Sequence, residues 1–184
     1  MPVPQHVVLL RGINLASRNR ISMPELRVAL TAAGFGDVAT YVASGNVVLS
    51  SRASASSVAR QVHGLIQDRF GFDVIVLVRS QRELADVVQR NPLGSVVTDP
   101  KRHLVTFLSA EFPPDLVARM KKVAGSRERF VVDGHEIYSW HPEGVGRSPL
   151  WERIAGKMRG IDATSRNWST VTALLAMAGG RTER

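Results

Sequence analysis

The chain has 184 residues, of which 44% are hydrophobic, and it carries a formal net charge of +8. This length and apolar content suit one sizeable domain or two small ones. Because the sequence has no cysteine, disulfides and thiolate metal ligands are excluded. The apolar runs are too short to span a bilayer, and the first residues lack the basic segment that is typical of a signal peptide. We therefore expect a cytoplasmic protein with no membrane partner.

The first half of the chain predicts a β-α-β-β-α-β module. A capping box of Ser22 and Glu25, with Pro24 between them, opens the first helix, and Gly34 ends it. The link Ser44-Gly45-Asn46 between two β-branched runs predicts a hairpin turn. Periodicity places strands over 5–10, 38–43, 47–50 and 74–78, and helices over 24–34, 57–70 and 81–89. This order is ferredoxin-like.

The second half repeats the plan loosely. Strands are predicted over 103–108, 130–132 and 136–140, and Asp133-Gly134 is the strongest hairpin signal in the chain. Helices are predicted to open at Pro113-Pro114 and near Pro149, but residues 167–177 read as a helix where a last strand is due. We therefore predict an α+β fold of two ferredoxin-like subdomains, the second degraded at its end, plus a C-terminal helix. The breaker cluster Asn91-Pro92-Leu93-Gly94 divides them into residues 1–92 and 93–184.

The first loop is the richest segment in chemistry. It carries Arg11, Asn14, Arg18 and Arg20 between the end of the first strand and the start of the first helix. Arginine forks and backbone N–H groups at such a place suit a phosphate or a carboxylate. A solvated connection whose arginines face water is the alternative.

The hairpin turn offers Ser44 and Asn46 as further polar groups, although turn geometry alone explains both. We expect the turn to lie at the end of the sheet where the first strand begins, away from the first loop. On that expectation the two segments do not share a site.

A C-terminal block, Thr164-Ser165-Arg166-Asn167-Trp168-Ser169-Thr170, contains the remaining candidates. Arg166 near a helix N-terminus is unusual because the helix dipole disfavours a cation there, so it is a candidate for holding an acidic group. Asn167 either caps the last helix or contacts a ligand. Lys157 completes the candidate ligand-binding set, and structural docking of this block is the alternative.

Motifs for metal, nucleotide and nucleophilic chemistry are absent from the sequence. The five histidines show no metal-ligand spacing, and no serine lies in a GxSxG elbow. We therefore expect no metal and no cofactor, and we name no catalytic residue.

Four ordered blocks resemble one known family. They are Leu9–Asn14, Met23–Arg27, Tyr41–Val48 and Thr164–Val171, and together they span nearly the whole chain. The sequence is similar to the bacterial domain of unknown function numbered 1697. The resemblance implies a compact α+β fold of paired ferredoxin-like subdomains, and it implies no activity. The chain departs from the family in its first loop, where Leu15–Arg20 replaces a run that commonly carries glycines and lysines.

Three functions stay open on the sequence alone. The net charge favours binding of an anionic ligand, either a phosphorylated metabolite or a nucleic acid, although the basic residues are spread along the chain and the strands lack the aromatic pairs that stack bases. A small enzyme acting on a phosphorylated or carboxylated metabolite is the second. The third is a non-catalytic interaction or scaffold protein, for which open sheet edges favour a homodimer.

Overall fold

The computed structural model describes residues 2–15, 19–156, 158 and 160–180. Two compact units make up the chain: Met1–Asp86 with Ala173–Arg184, and Val87–Thr172. The domain boundary after residue 92 stays a prediction. None of the helices in the described residues is long and apolar enough to cross a membrane.

The first unit contains a four-stranded antiparallel sheet in the order β2-β3-β1-β4. Its elements are β1 (Gln5–Arg11), α1 (Met23–Ala32), β2 (Gly36–Tyr41), β3 (Asn46–Ser50), α2 (Ala55–Phe70) and β4 (Ile75–Ser80), followed by α3 (Gln81–Gln89). β3 pairs antiparallel with both β1 and β2, so β2 runs parallel to β1. This is the split β-α-β arrangement of a ferredoxin-like module.

Alternation along the strands builds the core of this unit. Val8 and Leu10 of β1 and Val47 and Leu49 of β3 contribute to one cluster with the buried faces of α1 and α2. On α2 the buried residues recur every fourth position, at Val58, Val62 and Ile66. Ser22 caps the start of α1 and Ser54 caps the start of α2, and Gly71 ends α2 in the left-handed conformation.

The second unit contains a sheet of the same kind, in the order β6-β7-β5-β8. Its elements are β5 (His103–Leu108), α4 (Pro114–Val123), β6 (Arg129–Asp133), β7 (Glu136–Trp140), α5 (Pro149–Ala155) and β8 (Ala163–Asn167), after which α6 (Trp168–Gly179) begins. Leu108, Ile137, Leu150 and Ile154 lie in its core cluster.

The predicted fold class is confirmed, and the structure adds one strand to it. The sequence pattern predicts that the second module degrades before its last strand, but Ala163–Asn167 forms β8 and pairs along β5. The segment is rich in Thr, Ser and Asn, so its sequence lacks the apolar run by which a buried strand is recognised. Pairing with β5, and not side-chain propensity, makes it a strand.

Candidate functional site

The first loop leaves the C-terminal end of β1 and is closed on itself by hydrogen bonds. The Asn14 N–H donates to the Asn19 carbonyl over 3.0 Å, and the Asn19 side-chain amide donates to the Gly12 carbonyl over 3.2 Å. The Asn14 side chain bonds Ile21 on both sides, donating to its carbonyl over 3.1 Å and accepting from its N–H over 2.9 Å. The described part of the loop therefore has a conformation fixed by its own hydrogen bonds, and it leads directly into α1.

The hairpin turn lies against this loop. The Asn14 amide donates to the Ala43 carbonyl over 2.8 Å, and the Leu10 N–H donates to the Gly45 carbonyl over 2.8 Å. A Cβ on Gly45 would lie 2.7 Å from the Leu10 Cβ and 3.1 Å from the Ile13 Cγ1, so only glycine allows this approach.

The expectation that loop and turn lie at opposite ends of the sheet is therefore wrong. Leu9 pairs with Asn46 and Gln5 pairs with Ser50, which places the start of β3 at the end of β1. In a split β-α-β unit β2 runs parallel to β1, and so the turn after β2 must lie where β1 ends. The first loop and the hairpin turn therefore lie together at one end of the sheet.

Side chains of the turn hold its backbone. Asn46 is fully buried, and its amide donates to the Tyr41 carbonyl over 3.0 Å and to the Ser44 Oγ over 2.9 Å. Val42 has a φ of +48° although it is β-branched, and it is 56% exposed. Left-handed backbone at such a residue costs free energy and persists only where its surroundings enforce it.

Positive φ angles concentrate at this end of the first unit. They occur at Gly12, Asn14, Asn19, Val42 and Gly45, within the loop and the turn that contact each other. At Asn14, Asn19 and Val42, which are not glycine, this backbone conformation is strained, and such strain clusters at binding and catalytic sites.

An open depression of about 680 Å³ lies between the loop, the turn and the start of α1. Arg20 supplies its positive charge and Glu25, in the first turn of α1, its negative charge. The Glu25 N–H donates to the Ser22 Oγ over 3.5 Å, and Pro24 has no N–H. The helix start therefore offers few donors, and an anion in the depression would depend on arginine. The remaining lining residues are Asn14, Ile21, Ser22, Met23, Pro24 and Ala43.

The structure brings together some of the predicted site residues. Asn14 and Arg20 line the depression, and Arg11 ends β1 opposite Ile75 of β4. Arg18 and Lys157 lie outside the described residues.

Arg166 and Asn167 belong to the second unit, on β8. Arg166 is buried, and its Nη1 donates to the Thr164 Oγ1 and to the Ser165 carbonyl, each over 2.8 Å. Burial lowers the pKa of this guanidinium to about 10. Asn167 accepts from the Thr170 N–H over 2.9 Å and so caps α6. Both side chains have structural partners on their own strand or helix.

A polar cluster in the second unit was not visible in the sequence. His141 is fully buried, with its Nδ1 3.1 Å from the Glu128 Oε1 and 3.0 Å from the Ser148 Oγ, and its Nε2 3.0 Å from the Ser139 Oγ. Ser148 also donates to Glu128, and it accepts from the Trp151 N–H over 2.8 Å as the N-cap of α5. These residues are up to 20 positions apart in sequence, so only the fold assembles them.

The charges within this cluster follow from burial and hydrogen bonding. Burial lowers the pKa of His141, and Glu128 offsets that effect only in part. Burial raises the pKa of Glu128, but hydrogen bonds from Ser148, Gly125 and His141 more than offset it, so that the pKa lies below its ordinary value. A neutral imidazole beside an ionised carboxylate results. Since the Ser148 hydroxyl both caps a helix and donates to the carboxylate, it is not free to act as a nucleophile.

Among the described residues no group of three His, Asp or Glu side chains is arranged to hold a metal ion.

Comparison with known proteins supports the family and the fold. Protein of unknown function (DUF1697) is the family whose sequence pattern matches residues 3–138. No curated protein matches the chain. A solved structure described as that of the conserved bacterial protein SP0830 from Streptococcus pneumoniae has 20% sequence identity to the chain and a TM-score of 0.75. The match covers 96% of this chain and 99% of that one, and at this identity it shows a shared fold. The chain belongs to the DUF1697 family.

Proposed function

We propose that the chain binds a small anionic metabolite, phosphorylated or carboxylated, in the depression beside the first loop. The observation that carries the proposal is the pair of Asn14 side-chain bonds to Ile21 and Ala43, at 3.1 and 2.8 Å. They hold the basic loop, the start of α1 and the hairpin turn in one arrangement. A preorganised site binds more tightly because less conformational entropy is lost on binding.

Arginine is the recognition group in this proposal. Arg20 lines the depression, and Arg11 lies at the end of the strand from which the loop departs. A guanidinium donates two parallel hydrogen bonds to a carboxylate or phosphate, which gives direction as well as charge. The chain's net charge of +8 favours anions over cations as ligands.

A small ligand is favoured over a nucleic acid by the burial of the central strands. Val7, Val8, Leu9 and Leu10 point alternately to the two faces of the sheet, and each is at most 1% exposed. Every residue of β3 is also buried. Proteins that read single-stranded RNA on a ferredoxin-like sheet need one open face with aromatic side chains, and this sheet has no such face.

Thermal shift tests the proposal. Inorganic phosphate or pyrophosphate is titrated against sodium chloride at equal ionic strength, and the melting temperature is followed. At ten times the dissociation constant, ligand binding stabilises the folded state by about 1.4 kcal/mol, which is a rise of about 3–6 °C for a chain of this size.

The double substitution Arg11→Ala with Arg20→Ala should abolish this rise. The matched control removes two exposed arginines elsewhere in the unit, through Arg52→Ala with Arg60→Ala, and should keep it. An equal rise in both double variants would show that the anion acts through net charge alone and would remove the loop from the site.

The enzymatic alternative has less support. Among the described residues Ser148, His141 and Glu128 form the cluster that most resembles a nucleophile with its base, but Ser148 is 4% exposed and fully engaged. We therefore propose binding without assigning a reaction.

A further inference from the structure

Strand β6 forms one edge of the second sheet, and no described strand pairs with its outer side. Asp133 pairs with Glu136 across the two-residue turn Gly134-His135, so these two residues face each other in the ladder. Alternation then directs the backbone of Val131 and Arg129 towards β7, and the N–H and C=O groups of Phe130 and Val132 outwards. The edge therefore presents two outward donor–acceptor pairs at a spacing that suits an added strand.

The side chains of β6 alternate between the two faces of the sheet, and both charged residues lie on the face away from the helices. Phe130 and Val132 pack onto the helix side with the core cluster, whereas Arg129, Val131 and Asp133 lie on the opposite face. Val131 is 36% exposed, although it is apolar. An open groove of about 650 Å³ lies between β6 and α4, and its lining residues include Glu111 and Lys121.

We infer that β6 pairs with β6 of a second copy of this chain, antiparallel and centred on Val131, to form a symmetric dimer. Antiparallel pairing about Val131 places Phe130 opposite the partner's Val132, and these are the residues whose backbone groups point outwards. The two pairs supply about four intermolecular hydrogen bonds. The β6-β7-β5-β8 sheets of the two copies would then join into one eight-stranded sheet.

Charge decides the orientation and the partner. About this centre Arg129 faces Asp133 of the second copy, and by symmetry the same pair forms again on the other side of the axis. Parallel pairing would instead place Arg129 against Arg129 and Asp133 against Asp133. Opposite charges directly across a strand pair are favourable and like charges are unfavourable, so the edge is complementary to itself in one orientation.

Both charged residues already have partners within the chain. Asp133 lies 2.8 Å from the Arg90 Nη1, and the Arg129 Nη1 donates to the carbonyls of Ser126 and Glu128 over 2.8 and 2.7 Å. These contacts occupy one nitrogen of Arg129 and one oxygen of Asp133. They hold both side chains beside the edge, and the cross-strand pair would use the other guanidinium nitrogens of Arg129 and the other carboxylate oxygen of Asp133.

The edge of the other sheet offers a useful contrast. β2 carries a register shift between Gly36 and Ala39, and Asp37 within it has a φ of +47°. Such a bulge twists an edge away from pairing, and it is a common protection against association. β6 pairs with β7 in an unbroken register and has no such protection.

Charge-swap variants and sedimentation equilibrium of the full chain test the inference. The wild type should self-associate at micromolar concentration, as expected of a small interface. Arg129→Asp alone and Asp133→Arg alone place like charges at both pairs, and each should raise the dimer dissociation constant by at least about tenfold. The double variant R129D/D133R restores opposite charges and should dimerise like the wild type.

Mixing the two single variants supplies a second measurement on the same proteins. A chain with Asp at both positions is complementary to a chain with Arg at both, so the mixture should form a heterodimer that neither variant forms alone. Arg60→Asp on α2 is the charge-matched control and should leave association unchanged. Circular dichroism and the melting temperature verify that each variant is folded.

Three results would overturn the inference. One is a monomeric wild type throughout the micromolar range, which would leave the edge to another partner or to none. Another is a single variant that dimerises as well as the wild type. The last is the loss of dimers in the single variants without recovery in the double variant or the mixture, since cross-strand pairing requires that recovery.

Discussion

His103 provides the sharpest test of how the second unit responds to acid. It is fully buried at the start of β5, and its ring stacks on Trp168 with centroids 4.8 Å apart. Neither ring nitrogen has a hydrogen-bond partner among the described residues. A buried polar group without a partner costs free energy even when it is neutral, and the cost rises steeply when it is charged. Burial accordingly lowers the pKa of His103 to about 4.

This lowered pKa fixes the sign of the pH dependence. In the unfolded chain the imidazole binds a proton near its ordinary value of 6.5, whereas in the folded chain it does so only near 4. The unfolded state therefore binds more protons between these values, and stability falls as the pH drops through this window. Through His103 the free energy of unfolding should fall by about 2 kcal/mol between pH 7 and pH 5, and by about 3 kcal/mol at pH 4.

The substitution His103→Phe keeps a ring against Trp168 and removes the titrating group. We expect the variant to lose about 2 kcal/mol less than the wild type between pH 7 and pH 5. His103→Leu is the control, because it also cannot titrate but loses the stacking. The two variants should differ in stability at pH 7 and should share the weaker pH dependence.

Urea unfolding followed by tryptophan fluorescence measures these differences in the relevant unit. The three tryptophans, Trp140, Trp151 and Trp168, all lie in the unit Val87–Thr172. Burial also lowers the pKa of His141, which is unchanged in both variants. The wild type and the variants therefore share the acid-sensitive contribution of His141. The reasoning is refuted if His103→Phe and the wild type lose the same free energy between pH 7 and pH 5.

Two further sets of variants test the turns and the polar cluster. Gly45→Ala should cost at least about 2–3 kcal/mol, because it adds a Cβ 2.7 Å from that of Leu10 at a φ of +83°, whereas Gly134→Ala, at a φ of +56° in open space, should cost about 1 kcal/mol. Circular dichroism during urea unfolding gives both values, and equal costs would contradict the close packing of the first turn. Ser148→Ala removes the cap of α5 and a donor to Glu128, and we expect a loss of about 2–3 kcal/mol by tryptophan fluorescence. A loss below about 0.5 kcal/mol would show that the cluster is not a stabilising network.

Local signals in the sequence predicted most of the fold. Ser22 and Pro24 open α1 as expected, and α3 and β7 have the predicted bounds 81–89 and 136–140. Such signals act through the chain's immediate neighbours, so they are legible in a single sequence. Strand β8 has no such local signal, because Ala163–Asn167 becomes a strand through its pairing with β5. Likewise β2 ends at Tyr41 and not at Ala43, since Val42 adopts a positive φ that no residue type there announces.

The sequence indicates candidate residues for the site but not which segments contact each other to form it. Asn14 is predicted to bind a ligand, and its amide also joins the loop to Ile21, just before α1, and to the turn. The depression that results depends on contacts between segments about thirty positions apart, which no local pattern encodes. A rule of topology would have found them: in a split β-α-β unit the turn after β2 lies at the end of β1.

The two modules show why this end of β1 stands out. In the first, the Leu10 N–H donates to the Gly45 carbonyl over 2.8 Å, and in the second, the Leu108 N–H donates to the His135 carbonyl over 2.9 Å. The strand end and the turn therefore meet in the same way in both units. What differs is the connection that follows, which is long and rich in arginine and asparagine before α1 and only five residues before α4. Because the fold requires only the short form, the long form needs another reason, and binding at the depression that it helps to line is one that variants of Arg11 and Arg20 can test.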